Sequence, residues 1–184
     1  MKRNIFLISI CLILTSLNSN ADYYDVPMLE ANWVHSKTKS ACLLTQEIPH
    51  YGKAEFAHQS GSALRFSIQE YRVRPTIIKA DLAIAPAQWM HHDASFDKHP
   101  VYLDPPEKIK DFSRLSAYGD AAETMVDALL QGHSPTFIYL SAISDLDMRE
   151  IRVAVSPVKF QIAYDEFLNC RKERVHSRAT PENF

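Results

Sequence analysis

Glycine is scarce in this chain: Gly52, Gly61, Gly119 and Gly132 are the only four, and they stand far apart. No two fall within one loop, so neither G-x-G-x-x-G nor G-x-x-x-x-G-K-[ST] occurs, which excludes the nucleotide enzymes built on those phosphate-cradling turns. No charge of one sign dominates either, since the formal net charge is -2. A nucleic-acid-binding domain would carry a basic excess or stripe. Cysteine is limited to three residues with no C-x-x-C pair, so a thioredoxin-type centre or a cysteine-rich zinc site has no support. Beyond the first twenty residues, no apolar run is long enough to span a bilayer. What remains is an ordinary globular composition, 46% hydrophobic and 23% charged. A length of 184 residues fits one domain with its own core.

The N-terminal segment has the grammar of a cleavable secretory signal. Lys2 and Arg3 form a short positive region, residues 5–14 are apolar apart from Ser9, and Ser19 and Ala21 place small residues at the -3 and -1 positions before Asp22. An uncleaved membrane anchor is the alternative, but the run is shorter than a span requires. Cys11 lies inside the apolar run rather than after it, which rules it out as a lipidated cysteine. The expected organisation is a signal peptide over 1–21, a domain over 22–172 and a polar tail over 173–184. Cleavage removes the charges of Lys2 and Arg3, taking the net charge from -2 to -4, and leaves two cysteines, Cys42 and Cys170. In an oxidising compartment two cysteines most simply make one disulfide. Two unpaired thiols, or a bond to a partner, are the alternatives.

Alternating apolar residues predict strands over 63–73, 76–84, 136–142 and 150–155, with an earlier one around 54–57 after a Tyr51-Gly52 turn. In the first of these, Leu64, Phe66 and Ile68 share a face, and the shift of parity to Tyr71 and Val73 predicts a bulge or a twist near Gln69-Glu70. Several strands separated by turns favour antiparallel pairing. Two helices are also predicted, over about 120–131 and 161–172. Asp120 is read as the N-cap of the first, with Glu123 completing a capping box, and Gly132 and Pro135 end it. Ala122, Met125, Val126, Leu129 and Leu130 form its apolar stripe. Phe160, Ala163, Tyr164, Phe167 and Leu168 supply the inner face of the second, with Cys170 close to that face. The expected class is α+β: an antiparallel sheet or partly closed barrel packed with these two helices. Residues 86–106 read as a long irregular connection.

Candidate chemistry is sparse. His91, His92, Asp93, Asp97 and His99 crowd into nine residues and are all metal-binding types. Their spacing matches no H-E-x-x-H helix or other zinc pattern, and a solvated polar loop is the competing account. Ser60-Gly61-Ser62 lacks the spacing of a nucleophile elbow. Trp33 and Trp89 are either sugar-stacking platforms or core residues. No catalytic residue, bound metal or cofactor is therefore assigned.

The residues do carry a resemblance along nearly all of the chain. In order they are Trp33, Cys42 with Leu44, Ile48-Pro49, Tyr51-Gly52, Ala54 and Phe56, Leu64 and Phe66, Arg74-Pro75, and Pro86 with Trp89. Tyr118 precedes the first helix, and Gly132, Pro135-Thr136-Phe137 and Tyr139 follow it. A closing block holds Arg149, Ile151, Val153-Ala154, Ser156, Val158, Phe160, Tyr164, Phe167 and Cys170. The chain resembles the N-terminal domain of the MotY family, periplasmic components of sodium-driven polar flagellar motors.

The resemblance implies an antiparallel β structure with packed helices and a disulfide corresponding to Cys42 and Cys170. It also implies association with MotX and the flagellar basal body, in a ring that helps hold stator units, without catalytic activity. A full-length family member continues into an OmpA-like peptidoglycan-binding domain, whereas this sequence ends at Phe184. The expectation is therefore a stand-alone periplasmic scaffold that binds a MotX-like or other basal-body ring protein. The alternatives are a general envelope-binding module for another protein or a glycan, and a small metal-dependent hydrolase.

Overall fold

A computed structural model describes residues 21–71, 76–86, 98–103, 114–144 and 147–179. Strands β1 (Asp22–Tyr24), β2 (Val34–Lys37), β3 (Ala41–Ile48), β4 (Gly52–Gln59), β5 (Arg65–Glu70), β6 (Thr76–Pro86), β7 (Lys98–His99), β8 (Tyr102–Leu103) and β9 (Arg114–Tyr118) precede helix α1 (Asp120–Leu130). Then come β10 (His133–Ser144), β11 (Asp147–Ala154) and helix α2 (Phe160–Ala179). The strands form two sheets, ordered β2-β3-β4-β5-β9-β8 and β1-β11-β10-β6-β7. Every pairing is antiparallel except β1 with β11. The class is α+β, and of the two arrangements expected for the strands, open sheets are the one formed; neither closes into a barrel.

Period-2 alternation explains the first sheet. On β3, Cys42, Leu44, Gln46 and Ile48 are buried on the inner face, and β4 and β5 continue it with Ala54, Phe56, Phe66 and Ile68. Aromatic rings carry the core from this sheet to the others. Phe56 stacks on Phe66 at 4.3 Å, Phe66 meets Phe137 of β10 at 5.2 Å, and Trp33 meets Phe160 of α2 at 5.0 Å. Ring pairs at such spacings add about 0.5–1.5 kcal/mol each beyond the area they bury. α1 packs against β9, β10 and α2, while α2 lies along β2 and β3.

Several local expectations need correction. No bulge interrupts Gln69-Glu70: the register with β4 runs unbroken from Arg65 to Glu70. The inward position after Ile68 is filled by Glu70, which is buried and accepts a hydrogen bond from the Tyr139 hydroxyl at 3.3 Å. The alternation continues through a polar residue, so the apparent change of parity marks the end of the strand. Asp120 is not the N-cap of α1. That position belongs to Gly119, at φ 57°, and no side chain caps the helix. Glu123 instead bridges to Arg171 on α2 at 3.0 Å. Gly132, at φ 82°, does follow the helix as its left-handed terminating residue.

α2 runs beyond the expected limit at residue 172 to Ala179. Its next turn is anchored: Glu173 pairs with Lys37 at 2.7 Å, and Arg174 reaches the β2–β3 turn. The connection over 86–106 is also not wholly irregular. It contributes β7 to one sheet and β8 to the other.

Candidate functional site

The two cysteines come together by a simple division of labour. Strand alternation turns Cys42 inward from β3, helical spacing puts Cys170 on the same face as Phe167, and both are buried. They form a disulfide across 128 positions, with Cα atoms 6.0 Å apart. His58 lies directly across the ladder from Cys42. Around the pair, Arg171 meets Glu123, and the Arg174 guanidinium donates to the carbonyls of Thr38, Lys39 at 3.2 Å and Ala41 at 3.4 Å. The second half of α2 is thus clamped onto the β2–β3 hairpin by the disulfide, the Lys37–Glu173 ion pair and the Arg174 guanidinium cap, while Arg171 ties it to α1. Burial holds the His58 imidazole below its ordinary pKa, with Arg171 and Arg174 adding to the effect and Glu123 opposing it.

The other sequence candidates separate. His91, His92, Asp93 and Asp97 of the histidine-rich segment lie outside the described residues, as does Trp89. His99 sits on β7 opposite Leu82, half-buried. Among the described residues, no group of three or more His, Cys, Asp or Glu side chains is placed to hold a metal. Trp33 is a core residue, 4% exposed, and its indole N–H donates to the Ser156 carbonyl at 2.8 Å. It is not a sugar platform. Ser60-Gly61-Ser62 forms the turn between β4 and β5, closed by the Ser62 amide on the Gln59 carbonyl at 3.0 Å.

A cleft that the sequence did not announce opens at the β3–β4 turn. Glu47, Ile48, Pro49, His50, Tyr51, Gly52 and Tyr71 line about 330 Å³. The turn is unusual in backbone terms. His50 adopts φ 63°, which is left-handed and costs a residue with a Cβ roughly 1–2 kcal/mol. Gly52 presses so closely on β5 that a Cβ there would stand 2.0 Å from the Gln69 carbonyl oxygen. The Tyr71 hydroxyl donates to Glu47 Oε2 at 2.6 Å. Burial, the hydrogen bond to Glu47 and its negative charge push the Tyr71 pKa up to about 12. The phenol therefore remains a donor at neutral pH.

Behind the cleft, Tyr51 is buried beside Tyr24, with rings 5.3 Å apart, and its hydroxyl oxygen lies 3.4 Å from that of Tyr139. This end of the molecule offers hydrogen-bond acceptors and aromatic faces. Tyr51-Gly52 was legible in the sequence as a turn. Glu47 and Tyr71 were not, because they lie 24 positions apart and meet only when β4 and β5 fold back.

The family model of the MotY N-terminal domain matches residues 24–174. None of the curated proteins matches the chain. The matched span starts at the end of β1 and stops at Arg174, the residue that caps the β2–β3 turn. It includes both cysteines and every strand from β2 to β11. The chain belongs to the MotY N-terminal domain family, a family of flagellar-motor components.

Proposed function

We propose that the protein is a non-enzymatic periplasmic scaffold of the flagellar basal body, docking on a MotX-like ring protein and supporting stator assembly. The observation that carries this is the family match over 24–174. The Cys42–Cys170 disulfide supports an oxidising compartment such as the periplasm, where such bonds persist. No described helix is long and apolar enough to cross a membrane, and the exported, cleaved form suggested by residues 1–21 suits that setting. The domain boundaries of this reading are 22–172 for the scaffold, with residues 173–174 continuing its docked helix.

Deletion of the gene tests the proposal directly. The expected result is impaired swimming and a diminished basal-body ring in tomograms of the cell pole, both restored by the intact gene. Normal swimming with a complete ring overturns it. Cross-linking in periplasmic extract supplies the partner, and recovery of a ring component is the expected result. Exclusive recovery of an unrelated envelope protein or glycan would favour the general envelope module.

A further inference from the structure

The two halves of the disulfide are held by very different means. Cys42 lies inside a sheet, laddered to β2 on one side and to β4 on the other, and is fully buried. Cys170 is 3% exposed and stands on α2. The end of that helix is held by side-chain ties: Glu173 to Lys37, Arg174 to the carbonyls of Thr38, Lys39 and Ala41, and Arg171 to Glu123. Uncovering the bond from the β3 side breaks two strand ladders, whereas parting the helix end breaks only these ties and so costs less. Two polar atoms favour that opening. Arg174 Nε and His58 Nδ1 are buried with no hydrogen-bond partner among the described residues, and His58 stands directly across the ladder from Cys42. Such groups bear their desolvation uncompensated, and water entering at an opened helix end would satisfy both.

Thiol–disulfide exchange requires a thiolate to contact one of the two sulfurs, and the docked helix denies that contact. We propose that residues 170–179 of α2 form a gate over the disulfide, and that Cys170 Sγ is the atom a dithiol reductant attacks when the gate opens. The attacking thiolate bonds to Cys170 Sγ, the Cys42–Cys170 bond breaks, and its electron pair leaves on Cys42 as a thiolate that takes a proton from water. The second thiol of the reductant then closes the reductant's own disulfide and displaces Cys170 as the second thiolate. One dithiol is oxidised and one disulfide reduced. Arg174 sets the rate of opening, because its guanidinium spans three carbonyls that the helix end must release. After reduction Cys42 stays in the sheet, but α2 loses its covalent hold, so the docking of the helix end answers to a dithiol. The inference goes beyond the motor reading and stands on the clamp whichever assembly the chain joins.

The test uses the disulfide-bonded protein in native buffer, with dithiothreitol as the reductant and alkylation to count thiols by mass. Reduction is expected to depend on urea far less than global unfolding does, because only the helix end opens. Arg174→Ala should speed reduction about tenfold, through loss of a charge-assisted cap. Lys37→Met should speed it less than about threefold, since that ion pair is exposed. Ile68→Val, in the core on β5, should lower the urea midpoint yet leave the reduction rate within about twofold. With the monothiol glutathione and an acid quench, the mixed disulfide should map to the Cys170 peptide and the free thiol to Cys42. An unchanged rate in Arg174→Ala overturns the proposal. So does a rate in Ile68→Val that rises as far as its global stability falls, or an adduct on Cys42.

Discussion

Gln46 holds both backbone polar groups of Ser156: its Nε2 donates to the Ser156 carbonyl at 3.1 Å, and its Oε1 accepts from the Ser156 amide at 2.8 Å. The two residues are 110 positions apart, and both are buried. Trp33 donates to the same carbonyl. The node fixes the chain where β11 gives way to α2, and so sets where α2 meets the first sheet. Gln46→Leu fills a similar space but orphans the Ser156 amide, and the expected cost is about 2–3 kcal/mol in urea unfolding. Trp33→Phe should cost less at the hydrogen bond, and the double variant less than the sum, since both side chains serve one carbonyl. Strict additivity, or a neutral Gln46→Leu, would show that the node is incidental.

The disulfide should act chiefly on the unfolded chain. A closed loop spanning 128 positions is worth on the order of 4–5 kcal/mol in the chain-entropy account. Replacing both cysteines by serine should therefore lower stability by up to that amount, and most visibly release residues 170–179 of α2 in hydrogen exchange. Non-reducing peptide mapping should recover a Cys42–Cys170 peptide; two free thiols in the exported protein would contradict the pairing.

His58 should make stability sensitive to acid. Its folded-state pKa is lowered from the ordinary 6.5, so the unfolded chain binds more protons as pH falls through the region below that value. Stability from this group is fully present above about pH 6.5 and is lost on acidification toward the folded-state pKa. The protonated ring would meet Arg171 and Arg174 from α2, against Glu123 alone from α1, and Glu123 is already bridged to Arg171. Urea midpoints measured from about pH 8 to about pH 5 should fall more steeply for the native protein than for His58→Gln. Parallel curves would remove His58 from the account.

Glycines should differ sharply in their tolerance of alanine. At Gly52 the added Cβ meets backbone, the Gln69 carbonyl at 2.0 Å, so strands β4 and β5 must part. The expected loss exceeds about 2 kcal/mol. At Gly132 nothing lies within 4 Å, and only the left-handed φ of 82° opposes the substitution, a cost of roughly 1–2 kcal/mol. Thermal denaturation of the two variants decides it; equal losses would mean the approach of Gly52 to β5 is relaxed in solution.

Legibility followed the locality of the forces. Helix α1 and strands β4, β5, β6, β10 and β11 were readable because period and punctuation are written within a few residues. The strand β3 was not foreseen, since the inward position of Gln46 breaks its apolar alternation, and the reason lies 110 positions away in Ser156. The same applies to Glu70, whose buried carboxylate accepts from the distant Tyr139, and to the last turns of α2, whose polar sequence gave no apolar stripe to follow. Glu173 and Arg174 are ordered there by Lys37 and the carbonyls of the β2–β3 turn.

By itself, then, the sequence determined the α+β class, the inner faces of both helices apart from Leu130, which is exposed at the end of α1, the cysteine pair that could join and the family to which the order of its residues belongs. Those depend on chemistry repeated at short spacing, or on residues whose identity alone is informative. The tertiary structure alone decided that the strands form two open sheets, that Trp33 is core, and that Lys53 turns to Glu55 and leaves Glu47 beside Tyr71 at the mouth of a cleft. Such outcomes are set by competition among distant polar partners, each seeking a hydrogen bond or counter-ion once water is excluded. No window along the chain contains both competitors.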